Sequence, residues 1–143
     1  MKKILIILFL ILSACGYQPI YMNTSLDNFE FSKINIEGEN DINKKLLNSL
    51  MLKENVANIN LPELSLKSYF EVEETSKNTK GQIETYRSKI LVNLTISENN
   101  DIIKNKVFSD QFSYNRKKNK FELIEYQADI KNQLISKIIE DII

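Results

Sequence analysis

Leu64-Ser65-Leu66-Lys67-Ser68-Tyr69-Phe70-Glu71-Val72-Glu73 alternates apolar and polar side chains along ten residues. Leu64, Leu66, Phe70 and Val72 hold one phase, and Ser65, Lys67, Tyr69, Glu71 and Glu73 hold the other. Successive side chains of a strand point to opposite faces, so the stretch reads as a half-buried strand. Ile90, Val92, Leu94 and Ile96 repeat the alternation, with Tyr86 and Ser88 in the same phase. Thr75 to Gln82 lies between them, is polar and contains Gly81, so it reads as a loop. Folding the hairpin about Lys80 places Glu73 opposite Arg87, Glu71 opposite Lys89 and Tyr69 opposite Leu91.

Working outward, Glu98 to Asp101 is a turn, and Phe108, Phe112 and Tyr114 set a third alternation. Asn115 to Lys120 is a basic polar loop. From Phe121 onward, Ile124, Ala128, Ile135, Ile138, Ile139 and Ile142 share one face of a long helix. On the N-terminal side, Ile42, Leu46, Leu47, Leu50 and Met51 recur at helical spacing, with Asp41 as the capping residue and Asn55 to Pro62 as the break. Phe29 to Ile36 is strand-like with a phase slip. Phe29 and Phe31 hold one phase and Ile34 and Ile36 the other, which predicts a bulge or a strand beginning near Ser32. The order is β-α-β-β-β-α. It predicts an α+β two-layer sandwich, a four-stranded mixed sheet with two helices on one face. Ile90, Val92, Leu94, Ile135 and Ile138 are the expected core.

Composition excludes more chemistry than it offers. The chain has no histidine, one cysteine and three glycines. There is therefore no histidine-activated nucleophile, no histidine metal ligand, no intrachain disulfide and no glycine-rich phosphate loop. The formal net charge is zero, so bulk attraction to nucleic acid is not indicated. Glu71, Glu73 and Glu74 are the compact carboxylate group, and the register puts Glu73 opposite Arg87 and Glu71 opposite Lys89, which favours cross-strand ion pairs over an acid/base pair. The expectation is a protein that is not an enzyme and carries no metal and no cofactor. Two surfaces remain as candidates. Arg116, Lys117, Lys118 and Lys120, with Lys77 and Lys80 in a second loop, suit phosphorylated lipid or an acidic partner. Lys67, Tyr69, Arg87, Lys89 and Leu91 mix apolar and charged groups on the sheet face away from the helices and suit a partner protein.

The N-terminus carries a separate signal. Lys2 and Lys3 precede an apolar run from Ile4 to Leu12, followed by Ser13-Ala14-Cys15. A basic n-region, a short h-region and small residues before a cut site describe a secretory signal peptide. The run is well short of the roughly 20 residues needed to span a bilayer. Leu12-Ser13-Ala14-Cys15 resembles the lipobox of bacterial lipoproteins. That resemblance implies cleavage before Cys15, a diacylglyceryl group on its thiol and a palmitate-type chain on its amine. Gly16, where an inner-membrane retention signal has aspartate, implies the outer membrane. The expected organisation is residues 1–14 as a removed signal peptide, 15–28 as a lipidated tether and 29–143 as a single domain.

Cys15-Gly16-Tyr17-Gln18-Pro19-Ile20-Tyr21 resembles the mature start of the LPS-assembly lipoprotein LptE family, with Ile20 at the usual leucine. Ser113-Tyr114 and the long final helix, with Ala128 and Ile138-Ile139-Glu140-Asp141-Ile142, are also similar. The resemblance implies the same β-α-β-β-β-α order and no catalytic residues. It implies a partner, the outer-membrane β-barrel LptD, whose lumen such a protein plugs and whose assembly it supports. It further implies lipopolysaccharide transport to the cell surface, with the domain periplasmic and inside the barrel. The rival expectation is a periplasmic lipid-binding lipoprotein serving an inner-membrane transporter, which requires an enclosed apolar pocket.

Overall fold

The computed structural model describes residues 29–143. Cys15 and the expected signal peptide and tether, residues 1–28, lie outside the described residues. Strand β1 spans Glu30–Phe31, β2 Lys33–Gly38, helix α1 Asn40–Ser49, β3 Lys53–Glu54, β4 Glu63–Lys77, β5 Ile83–Glu98, β6 Asp101–Asn115 and helix α2 Lys120–Ile142. The main sheet has the order β2-β4-β5-β6. β2 runs parallel to β4, and β4-β5-β6 is an antiparallel meander. Both helices pack on one face of this mixed four-stranded sheet.

The phase slip near Ser32 is a break between two strands. β1 leaves the main sheet and pairs in parallel with β3, while β2 begins at Lys33 in the main sheet. β3 had no signature in the sequence, because two residues are too few to show a period. Lys53 N–H donates to Phe29 O at 3.1 Å and Asn55 N–H to Phe31 O at 2.8 Å.

The hairpin register is the expected one. Glu73 pairs with Arg87, Glu71 with Lys89 and Tyr69 with Leu91. The polar loop is shorter than the sequence implies, because β4 continues to Lys77. Thr75 and Ser76 hydroxyls lie 2.6 Å and 2.7 Å from Thr85 Oγ1, which holds polar residues in the ladder. At the other hairpin Asn99 and Asn100 both take positive φ, the geometry of the two-residue turn that matches strand twist. Gly38 ends β2 at φ +91°, and a Cβ there would stand 1.9 Å from the Ser68 carbonyl oxygen. Glycine is what allows β2 to turn into α1 this close to β4.

Asp41 is not the cap of α1. Glu39 holds the N-cap position without a side-chain cap bond, and Asp41 sits in the first turn. Lys131 of α2 binds both acids, at 3.0 Å to Glu39 and 2.7 Å to Asp41, and stands 4.9 Å above the Phe70 ring. Met51 is exposed at positive φ, past the helix end, rather than on its apolar face.

The core lies between helices and sheet. Ile42, Leu46, Leu66, Ile90, Val92, Ile130, Leu134, Ile135 and Ile138 are buried. Leu94 is only partly buried at the core edge, because β6 beside it presents Lys106 rather than an apolar residue. Val72 is exposed because β2 pairs only as far as Ser68, which leaves this end of β4 with β5 on one side and an open edge on the other. The buried stripe of α2 follows the expected one at Ile135, Ile138, Ile139 and Ile142 and departs from it in the first turns. Ile124 and Ala128 face solvent, and Leu123, Tyr126 and Ile130 turn inward instead. Tyr126 meets Tyr114 edge to face at 5.6 Å, a large aromatic contact that fixes the rotation of the first turns.

Candidate functional site

Two loops distant in sequence meet at one end of the sandwich. Lys77, Gly81, Gln82 and Ile83 at the start of β5 approach Arg116, Lys117, Lys118 and Lys120 around a hollow of about 560 Å³. Five cations and one carboxylate, Glu74, line it. Lys77 reaches Glu74 at 3.4 Å. The remaining four cations have no carboxylate partner among the described residues. Lys80 stands on the hairpin turn outside the hollow, where Asn78 organises the chain by accepting from the Lys80 and Gln82 amides. Lys77 ends β4 and Lys120 opens α2, so neither is a loop residue.

The hollow rests on a firm base. Arg116 N–H donates to Glu84 O at 2.7 Å, closing the end of the sheet. Lys117 Nζ lies 4.1 Å from the Tyr126 ring centroid. Tyr126 packs on Tyr114, which stacks on Tyr86 at 5.8 Å and shares a buried hydroxyl contact of 3.1 Å with Ser88. The N-terminus of α2 also points here, with Asn119 Oδ1 accepting from Phe121 N–H. The positive end of the helix dipole adds to the cationic field. Clustered ammonium and guanidinium groups over a rigid aromatic base can hold a phosphate or carboxylate by charge-assisted hydrogen bonds.

The second candidate surface is the outer sheet face. Lys67, Tyr69, Arg87, Lys89 and Leu91 share it, as the register requires. Its cations are largely engaged. Lys67 meets Glu37 at 2.6 Å, Lys89 meets Glu71 at 3.7 Å, and Arg87 Nε donates to Ser113 Oγ at 3.4 Å. The hydrogen bond from Glu37 raises the Lys67 pKa above its ordinary value. Tyr69 is half exposed and, with Leu91 and Val107, leaves an apolar diagonal between polar groups.

Opposite the basic end, the sandwich opens into an apolar cleft of about 290 Å³ that the sequence did not reveal. Phe31, Leu50, Leu64 and Phe108 floor it, and Phe29, Lys104, Lys106 and Ile143 stand at its exposed rim. Its residues come from four strands, the segment after α1 and the end of α2, so no local pattern marks it. Among the described residues no cluster of acidic, histidine or cysteine side chains could hold a metal. Among them, too, no helix is long and apolar enough to cross a membrane.

No protein-family model and no curated protein sequence matches the chain. The solved structures that share its fold include three bacterial lipoproteins. Rare lipoprotein B from Shewanella oneidensis aligns with TM-score 0.53 and 11% identity, over 77% of this chain and 92% of its own. A minor lipoprotein from Acinetobacter baumannii aligns with TM-score 0.55 and 13% identity, over 80% of this chain and 89% of its own. Lipoprotein B from Nitrosomonas europaea gives 0.55 and 9%, over 80% and 81%. The chain has the fold of these bacterial lipoproteins.

Proposed function

We propose that this protein is an outer-membrane lipoprotein of the LptE type. It is anchored through acylated Cys15, and its domain plugs an LptD-like β-barrel and supports the barrel's assembly. The observation that carries the reading is the basic hollow, built from two remote loops on a fold shared with lipoproteins. Lipopolysaccharide bears phosphates and acidic sugars, and flexible ammonium groups suit such diffuse anions. The Cys-Gly-Tyr-Gln-Pro-Ile-Tyr start and the lipobox before it support the anchoring and the family.

The mechanism on this reading is mechanical. The outer sheet face, with its compensated charges and apolar diagonal, lies against the barrel wall, and the basic end meets the lipid. No bond is made or broken. Pull-down of the native protein from membranes tests the reading. The expected outcome is co-purification of a large outer-membrane β-barrel, with loss of assembled barrel on depletion. Unchanged barrel levels after full depletion would overturn it and favour the rival, a periplasmic lipid-binding lipoprotein serving an inner-membrane transporter. The apolar cleft is the one feature that favours that rival, and it is open along its rim rather than enclosed.

A further inference from the structure

The cleft at the end opposite the basic hollow has its own polarity. Phe31, Leu64 and Phe108 give it a buried apolar floor, and Leu94 and Ile96 of β5 give it a half-buried wall. Lys106 pairs with Leu94 and Lys104 with Ile96, so both lysines face the cleft side of the sheet, two positions apart at its edge. Neither has a carboxylate partner among the described residues. Lys106 Nζ lies 4.6 Å from the Phe108 ring centroid, which holds an ammonium directly over the floor. An apolar slot with two uncompensated cations at its mouth matches one chemistry, an alkyl chain ending in an anion. The volume of about 290 Å³ is at the lower end of the ~300–1,000 Å³ of small-molecule sites. That leaves room for part of one chain and none for a lipid of several.

We propose that this cleft binds a single fatty-acid chain drawn from the membrane, with its carboxylate on Lys104 and Lys106. Access to the membrane rests on the acylated-Cys15 reading. Phe29 at the rim is then about 14 residues from the anchor, a reach of at most about 50 Å. Burying each methylene favours the complex, and the lysines add selectivity for a charged head over a neutral one.

The test uses the full chain purified from membranes and placed in neutral phosphatidylcholine vesicles. These carry a trace of palmitate with a photoreactive diazirine near its methyl end, or the matching hexadecanol. Expected are cross-links confined to cleft residues such as Leu94 and Phe108, several times more frequent with palmitate than with the alcohol. Lys104→Gln with Lys106→Gln, both exposed changes, should cut palmitate labelling roughly tenfold and leave alcohol labelling unchanged. Leu94→Trp should block both probes, with its melting curve checking the fold. Labelling spread over the domain, or equal labelling by acid and alcohol in the parent protein, would overturn the proposal. The intact mass of the same preparation reports acylation separately. Cleft labelling of an unacylated chain would leave the cleft standing and remove the anchor.

Discussion

The two ends of the sandwich are built from the same strands and do opposite things. At one end β4, β5 and β6 finish in polar loops whose cations meet over a tyrosine stack. At the other end the same strands finish in apolar residues that the helices do not fully cover. The basic end is exposed charge on a rigid base, so its side chains contribute little to stability and much to what can bind. The apolar end is part of the core left open, so its side chains serve stability and binding together. A substitution series across the two ends should therefore separate folding from function at one end and fail to separate them at the other.

The largest effect is expected on the floor of the cleft. Phe108→Ala removes a buried ring and should cost about 3–5 kcal/mol in chemical denaturation. A loss below about 1 kcal/mol would mean that the apolar end is not packed as described. Leu94→Ala, at the half-buried wall, should cost less than the roughly 2–5 kcal/mol of a fully buried leucine. Next comes the base of the basic hollow. Tyr114→Phe keeps the ring stack and leaves the buried Ser88 hydroxyl without its partner, which should cost about 1–3 kcal/mol. A neutral result would show that the base depends on ring packing alone.

A smaller effect belongs to the clasp between the helices, midway between the ends. The hydrogen bond from Lys131 holds the Asp41 carboxyl below its ordinary 3.8. A lowered carboxyl stabilises the fold above its unfolded pKa and loses that contribution as pH falls through its folded value. Burial pulls the Lys131 pKa down, but the bonds to Asp41 and Glu39 outweigh it and raise it above 10.5. The contribution of Lys131 is therefore complete below pH 10.5 and lost as pH rises through its folded value. Lys131→Met should lower stability near neutral pH by no more than about 1 kcal/mol, since both acids are exposed. The deficit should shrink below about pH 4, where the parent loses the same contribution. A deficit independent of pH would assign the effect to the Lys131 stem over Phe70.

The smallest stability change is expected where binding should change most. Lys117→Gln, Lys118→Gln and Lys120→Gln together should stay within about 0.5 kcal/mol of the parent, measured by thermal melting. Lipopolysaccharide binding or barrel association should fall, and the parent's own binding should weaken as salt rises, because exposed charges are screened over about 8 Å at physiological ionic strength. Unchanged binding by the triple variant at low salt would make the hollow plain solvated surface and erase the contrast between the two ends.

Much of the fold was legible because its signals are local. Alternation of Leu64, Leu66 and Phe70 against Ile90, Val92 and Leu94 assigns each strand a face, and a one-residue slip would reverse every side chain. The pairing of Glu71 with Lys89 and Tyr69 with Leu91 therefore followed from the hairpin, and the break at Ser32 from a phase slip. The outer-face candidates inherit their positions from that register. The basic residues were visible as a composition, and their arrangement was not.

What the chain determined by itself is thus the periodicity of each element, the faces of the meander, the mixed order of the sheet and the placing of both helices on one side. Only the tertiary structure decided which side the first turns of α2 present inward, because Ile124 and Tyr126 compete for the core and the edge-to-face contact with Tyr114 settles the rotation there. It also decided that Lys77 and Arg116 to Lys120 face one hollow while Lys80 stays outside. It alone opened the cleft of Phe31, Phe108 and Lys106. Contacts between residues remote in sequence depend on how far each strand runs and where the helices stop covering it. Those lengths are set by packing, and packing leaves no period in the sequence.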